Sequence, residues 1–361
     1  MAWRFALNMI MILFGLMVVV GCSTEATPTL EIAESAESYL KRGIERYQAQ
    51  EFDGALDVFD QAIALDGTLA EAFYYRGLSR LARRDLHGAL ADFDQAILLN
   101  PSYAEAFIAR GDFFQRQGFQ DEALADFEQA ISLNPQLAAA YVGRGLVRLA
   151  REAFEEALAD FDRAIALDPT LALAYSKRGR LRTMQDDLGG AMADFDQALA
   201  LEPALAEVFH NRALLHYKRG DLEGAEADFS QAISLDAANA GSFFQRGTVR
   251  ADLENLDGAL ADFTEAINLQ PDMLDAFMER GHIYRAQGDL DSAVADYTQA
   301  LAHDSGMAQA YYHRGLTRAS QQDLRGAVSD LKQYLGLNPS AEDYQTVESW
   351  ITQFEAQLEG P

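Results

Sequence analysis

Apolar residues recur along this chain in two alternating helical phrases. In the first, an aromatic residue precedes an Arg by three places and a Gly by four, as in Phe73, Arg76 and Gly77 or Phe107, Arg110 and Gly111. In the second, Ala, Phe and Ala stand at spacings of four and three, as in Ala89, Phe93 and Ala96 or Ala157, Phe161 and Ala164. Both spacings put the named residues on one helical face. The first phrase returns at a fixed step of 34 residues, at Arg42, Arg76, Arg110, Arg144, Arg178, Arg212, Arg246, Arg280 and Arg314. A period held without insertion means one supersecondary unit stacked on itself. With Ala36 as position 1, the pattern predicts a first helix to about position 14, a short turn, and a second helix over about positions 18–31.

Position 4 is aromatic in every unit, from Tyr39 to Tyr311, and position 8 is Gly except at Ala213. Glycine costs a helix about 1 kcal/mol against alanine, so its recurrence implies a neighbouring helix too close for a side chain. Pro101, Pro135, Pro169, Pro203, Pro271 and Pro339 fall at position 32, where proline closes one helix and seats the next turn. Small residues at positions 8, 20 and 27, aromatics at 4 and 24, and Pro at 32 together resemble the tetratricopeptide repeat (TPR). The likeness covers residues 36–341 as nine repeats: 36–69, 70–103, 104–137, 138–171, 172–205, 206–239, 240–273, 274–307 and 308–341. Departures are Ala213 for Gly, Gly67, Ala237 and Ser305 for Pro, and Leu331 with Tyr334 in the last repeat. Residues 342–361 follow as a capping helix and C-terminus. Ser340 is the expected N-cap, Glu342 and Asp343 the acids of the first turn, and Tyr344, Val347, Ile351, Phe354 and Leu358 the apolar stripe. The resemblance implies an all-α, right-handed superhelical solenoid that binds polypeptides on a concave surface lined by first helices.

Charge narrows the partners. Lys and Arg total 29 against 56 Asp and Glu, a formal charge of −27, which repels phosphate backbones and excludes nucleic acid as the expected partner. The single cysteine, Cys22, leaves no internal disulfide and no multi-cysteine metal site. It ends an apolar tract from Phe5 to Val20 that follows Arg4, and Val19-Val20-Gly21-Cys22 resembles a bacterial lipobox. That resemblance implies a signal peptide over 1–21, acylation of Cys22 and a bilayer anchor, with 22–35 as a polar tether. The expected location is the bacterial cell envelope, lipid-anchored and extracytoplasmic, with Ser23 after the cysteine permitting the outer membrane where the envelope has one.

Two faces of the first helix have different tasks. The invariant Arg at position 7 lies roughly 160–170° from the face of positions 2, 5, 9, 12 and 13. Its expected partner is the carboxylate at position 23 on the second helix: Asp92, Asp126, Asp160, Asp194, Asp228, Asp262, Asp296 and Asp330, with Val58 the exception. The opposite face supplies the binding candidates Tyr47, Tyr74, Leu78, Leu81, Ile108, Val142, Leu146, Leu149, Tyr217, Phe244, Met278 and Tyr312. Leu40, Ile44, Leu214 and Leu316 extend them, and Ser176, Arg180, Thr183 and Met184 interrupt them in repeat five. Apolar and aromatic residues on this face suit a helix or an extended peptide. Chaperone-binding members of the family clamp a C-terminal carboxylate with Lys and Asn at positions 5 and 9, which read Leu40 and Ile44 or Tyr74 and Leu78 here, so that clamp is missing. Four bases and seven acids on the face predict a neutral or mildly basic polypeptide. His87, His210, His216, His282, His303 and His313 show no metal-ligand spacing, and no nucleophile motif stands out, so neither metal, cofactor nor catalysis is expected. The leading expectation is a protein-binding scaffold, and its alternative a non-catalytic regulatory subunit of an envelope enzyme.

Overall fold

The computed structural model describes residues 35–359, so the leader, Cys22 and most of the tether lie outside the described residues. Among the described residues there are nineteen helices and no strand. First helices open at Ala36, Ala70, Ala104, Ala138, Ala172, Ala206, Ala240, Leu274 and Ala308, at a constant spacing. Second helices run Phe52–Leu65, Leu86–Leu99, Gln120–Leu133 and onward in the same step, so they begin at position 17, one residue earlier than the pattern predicts. Two compact units divide the chain, one ending at Arg110 and the other beginning at Gly111.

The turn inside each pair has a chemistry that the sequence pattern conceals. Position 15 is left-handed throughout: Gly118, Gly220 and Gly288 adopt φ of 78–83°, but Gln50, Arg84, Glu152, Asp186, Glu254 and Gln322 adopt it too. The amide of Asp85 donates to the Arg80 carbonyl at 2.9 Å and that of Arg84 to Leu81 at 3.0 Å, the two bonds of a Schellman cap. Position 16 then caps the second helix, as where Asp85 accepts from the Gly88 amide and Asp187 from Gly190. At the far end Asn100, Asn134 and Asp168 accept from the amide two residues on, forming Asx turns beside the prolines.

The core of each unit is a file of rings. Phe59 and Phe93 in the first unit, and Phe127, Phe161, Phe195, Phe229, Phe263 and Tyr297 in the second, are all but completely buried between the Ala residues at positions 20 and 27. These rings explain the glycines. A Cβ placed on Gly145 would lie 2.8 Å from Cε1 of Phe161, so what comes too close is the position-24 side chain and not the neighbouring helix itself. Ala213 fills the equivalent place in repeat six and is fully buried, so one methyl can be accommodated there. Accordingly Gly145→Val is expected to cost about 2 kcal/mol by overpacking and Gly145→Ala much less, the difference being read from urea unfolding midpoints.

The closing helix spans Tyr344–Glu359 and covers the last repeat with Val347 and Ile351, which pack on Leu331, Tyr334 and Leu335. Two expectations need correction. The helix starts beyond Glu342 and Asp343 rather than including them, because Asp343 instead accepts from the Tyr334 hydroxyl at 2.8 Å and its carbonyl opens the helix by accepting from the Val347 amide. Leu358 is exposed, beyond the Glu355 contact with Lys332 of repeat nine.

Candidate functional site

The arginine at position 7 is consumed by the scaffold. In repeat four, Arg144 Nη2 donates to Asp160 Oδ1 at 2.7 Å and Nε to Oδ2 at 3.1 Å, a two-point grip on a carboxylate that is almost entirely buried. The same grip joins Arg76 to Asp92, Arg178 to Asp194, Arg246 to Asp262, Arg280 to Asp296 and Arg314 to Asp330. The remaining guanidinium nitrogen reaches back to position 25 of the preceding repeat: Asp162 for Arg178 at 2.6 Å, Asp196 for Arg212 at 2.7 Å and Thr264 for Arg280 at 2.9 Å. Each guanidinium also lies over the position-4 ring of its own helix, 5.5 Å from the centroid for Arg144 over Tyr141. One side chain therefore ties two helices of a repeat and the repeat before it. The Asp194 bonds hold Arg178 above its ordinary guanidinium range, against the opposing effect of burial.

A second arginine was not evident from the pattern. Position 11 carries Arg80, Arg148, Arg182, Arg250 and Arg318, and each donates through Nη1 to the same buried aspartate, at 2.7–2.9 Å. Two cations on one carboxylate help offset the desolvation of a buried acid. The signal was present in the repetition, but Phe114, His216 and Tyr284 interrupt it.

With position 7 occupied, the opposite face remains for binding. Tyr47, Tyr74, Leu78, Leu81, Ile108, Leu146, Tyr217, Phe244 and Tyr312 are all partly exposed. Val142, Leu149 and Met278 are not, with 4%, 7% and 5% of their surface accessible. These three are corrected to core residues. Val142 and Leu149 are part of the cluster that includes Phe161 and Leu181, and Met278 packs with Tyr297 and Ala310, because the next repeat closes over them. In the first unit the face opens into a cavity of about 420 Å³ floored by Leu40 and Ile44 and edged by Glu37, Lys41, Glu45, Gln48 and Glu71. In the second, burial pushes the Asp112 carboxyl up to about 6, with Arg116 pulling it down.

His282 and His313 of repeats eight and nine pack together, and among the described residues no cluster of side chains could hold a metal ion. His313 stacks on Tyr297 and meets the His282 ring edge-on with centroids 4.5 Å apart, while Glu279 lies 3.6 Å from His282 Nδ1. Burial, then His282 and Arg285, push His313 down to about 4, with Glu279 opposing. As pH falls below about 6.5 the unfolded chain takes up the proton that folded His313 refuses, so stability is lost between about pH 6.5 and 4. Because the ring is partly solvated the loss is about 2 kcal/mol or less. The difference in unfolding midpoint between pH 7 and pH 4.5 is therefore expected to shrink in His313→Gln.

Comparison with known proteins finds the same kind of repeat. A family model described as "Tetratricopeptide repeat" matches residues 40–104, 108–172 and 244–295, two others of that description match 206–239 and 308–340, and one described as "TPR repeat" matches 281–322. No curated protein sequence matches significantly. Among solved structures, the APC/C hetero-tetramer Cut9-Hcn1 is similar over 89% of this chain and 76% of its own, at 14% identity and a TM-score of 0.53. Pseudomonas aeruginosa pilF is similar over 59% of this chain and 96% of its own, at 20% identity and a TM-score of 0.52. PilW, described as a widely conserved type IV pilus biogenesis factor, is similar over 56% and 94%, at 23% identity and a TM-score of 0.52. At such identities the likeness speaks for the fold.

Proposed function

Because the chain belongs to the tetratricopeptide repeat family, we propose that it is a lipid-anchored, extracytoplasmic scaffold that holds a polypeptide partner on the face of its first helices. The observation that carries this reading is the division of labour on each first helix. One side is locked by Arg-Asp bonds repeated almost without change, and the other varies from repeat to repeat while exposing Leu78, Leu81, Ile108, Tyr217 and Tyr312. Invariance on the packed side and variation on the open side suit a scaffold that recognises a sequence of side chains. The lipobox-like Val19-Val20-Gly21-Cys22 supports the anchor and the envelope location. The pilus factor PilW shares the fold, and a role in envelope or pilus assembly is the part of this proposal that rests on analogy. The action is binding and non-catalytic.

Two measurements test it. A photo-crosslinking amino acid at Leu78 should capture the partner in intact cells, whereas the same group at Leu98, exposed on a second helix, should not. Equal capture from both places would remove the assignment of the face. Cys22→Ser should abolish acyl labelling and release the protein from membranes; unchanged mass and attachment would remove the anchor. If the captured partner is one enzyme whose rate responds to the purified protein, the regulatory alternative replaces the scaffold.

A further inference from the structure

Repeat two departs from its neighbours at three positions that come together. Position 34 is Leu at Leu69, Leu137, Leu171 and Leu205, but Tyr103 takes that place, and positions 5 and 6 of repeat two carry the adjoining Tyr74 and Tyr75. Ring centroids of Tyr74 and Tyr75 are 5.0 Å apart at 72°, and those of Tyr74 and Tyr103 5.1 Å apart at 55°. The rings are held in place before any ligand arrives: Tyr75 stacks on the buried Phe59 at 17° and meets the Tyr47 ring edge-on. Together with Ala70, Asn100, Glu71 and Glu105 the three tyrosines line a cavity of about 440 Å³.

The charges around this cavity are of one sign. Glu71 and Glu105 are exposed at its edge, no base lines it, and among the described residues neither carboxylate forms an ion pair. Burial first, and then the neighbouring phenols and both glutamates, drive the Tyr103 hydroxyl far above its ordinary value, so its ring remains neutral. Aromatic rings carry electron-rich faces, and the two carboxylates at the edge add a negative field to the cavity that the three rings line. An anion or phosphate would be repelled there, whereas an ammonium or guanidinium would meet ring faces and a counter-charge at once. Glu71 also borders the cavity floored by Leu40 and Ile44, so a chain lying on that apolar floor would carry a side chain directly into the tyrosines.

We propose that the Tyr74, Tyr75 and Tyr103 cavity, bordered by Glu71 and Glu105, receives a cationic side chain, lysine or arginine, of the bound polypeptide. The inference rests on the reading of this face as a polypeptide site and adds the partner's chemistry to it: a basic residue flanked by apolar ones.

The test uses full-length protein in detergent micelles, labelled with 3-fluorotyrosine, and two small probes, N-acetyl-lysine methylamide and its uncharged counterpart N-acetyl-norleucine methylamide. Single Tyr74→Phe, Tyr75→Phe and Tyr103→Phe variants assign the three fluorine signals. The lysine probe is expected to shift those three signals saturably and to bind about tenfold more tightly than the norleucine probe. Glu71→Gln combined with Glu105→Gln, both exposed and outside the core, should abolish that preference while leaving the thermal melting curve in place. Equal binding of the two probes, a preference that survives in the double variant, or no saturable shift would each overturn the proposal. The small probes read the cavity without any groove occupant. Capture at Leu78 without a lysine preference would therefore remove only the cation site, and a lysine preference without capture would overturn its assignment to a polypeptide.

Discussion

Phe161→Ala should lower the free energy of unfolding by about 4 kcal/mol, toward the upper end for removal of a buried ring. The ring is wholly inaccessible and lies among Ala157, Ala164, Ala174 and Leu181, with Gly145 beneath it. Ala157, Ala164, Ala174 and Gly145 have no side chain that could swing into the space, which leaves only the larger members of the cluster, such as Val142, Leu149 and Leu181, to relax toward it. Leu181 and Ala174 belong to the next repeat, which makes the loss one of coupling between repeats as well as within one. Urea unfolding should show the midpoint falling, with amide exchange accelerating first in residues 138–205. Phe161→Leu retains most of the volume and should cost less than half as much. Equal losses for the two would mean that this file of rings is not tightly packed.

Asp160→Ala is expected to cost about 3 kcal/mol, chiefly through what it leaves behind. Arg144 and Arg148 both donate to this carboxylate, at 2.7 Å each, and would face each other with no anion between them. Their side chains retain 18% and 24% exposure, so they are not sealed from water and the cost falls short of that for fully buried charges. Replacing Arg144, Arg148 and Asp160 together with leucine should recover much of the loss, since a buried ion set contributes register more than net stability. A loss under about 0.5 kcal/mol for Asp160→Ala would place these bonds with ordinary surface pairs.

The period, the helix pairs and the Arg144-Asp160 partnership were legible because each recurs at one place in every repeat, so phase alone identifies the facing sides. Arg148 was not, because Phe114, His216 and Tyr284 hold the equivalent place elsewhere and break the pattern. The left-handed turns at Glu152 and Asp186 were hidden for a related reason. Only Gly118, Gly220 and Gly288 advertise that conformation, and the Schellman bonds impose it on the others. On the binding face, phase separates inside from outside but does not say how far the next repeat reaches. Leu146 and Val142 therefore looked equivalent, and only Leu146 remains partly open. Tyr103 lies in a turn, where helical phase carries no information, and its place beside Tyr74 emerges only from the fold.

The account's central claim is that the invariant arginines hold the repeats together while the opposite face binds. It is tested most directly by measuring, in one Arg144→Gln preparation, the unfolding midpoint and the capture of partner through a crosslinker at Leu78. The account predicts a clearly lowered midpoint with capture unchanged below it. Capture abolished with the midpoint and helicity unmoved would make Arg144 a contact for the partner and contradict the claim.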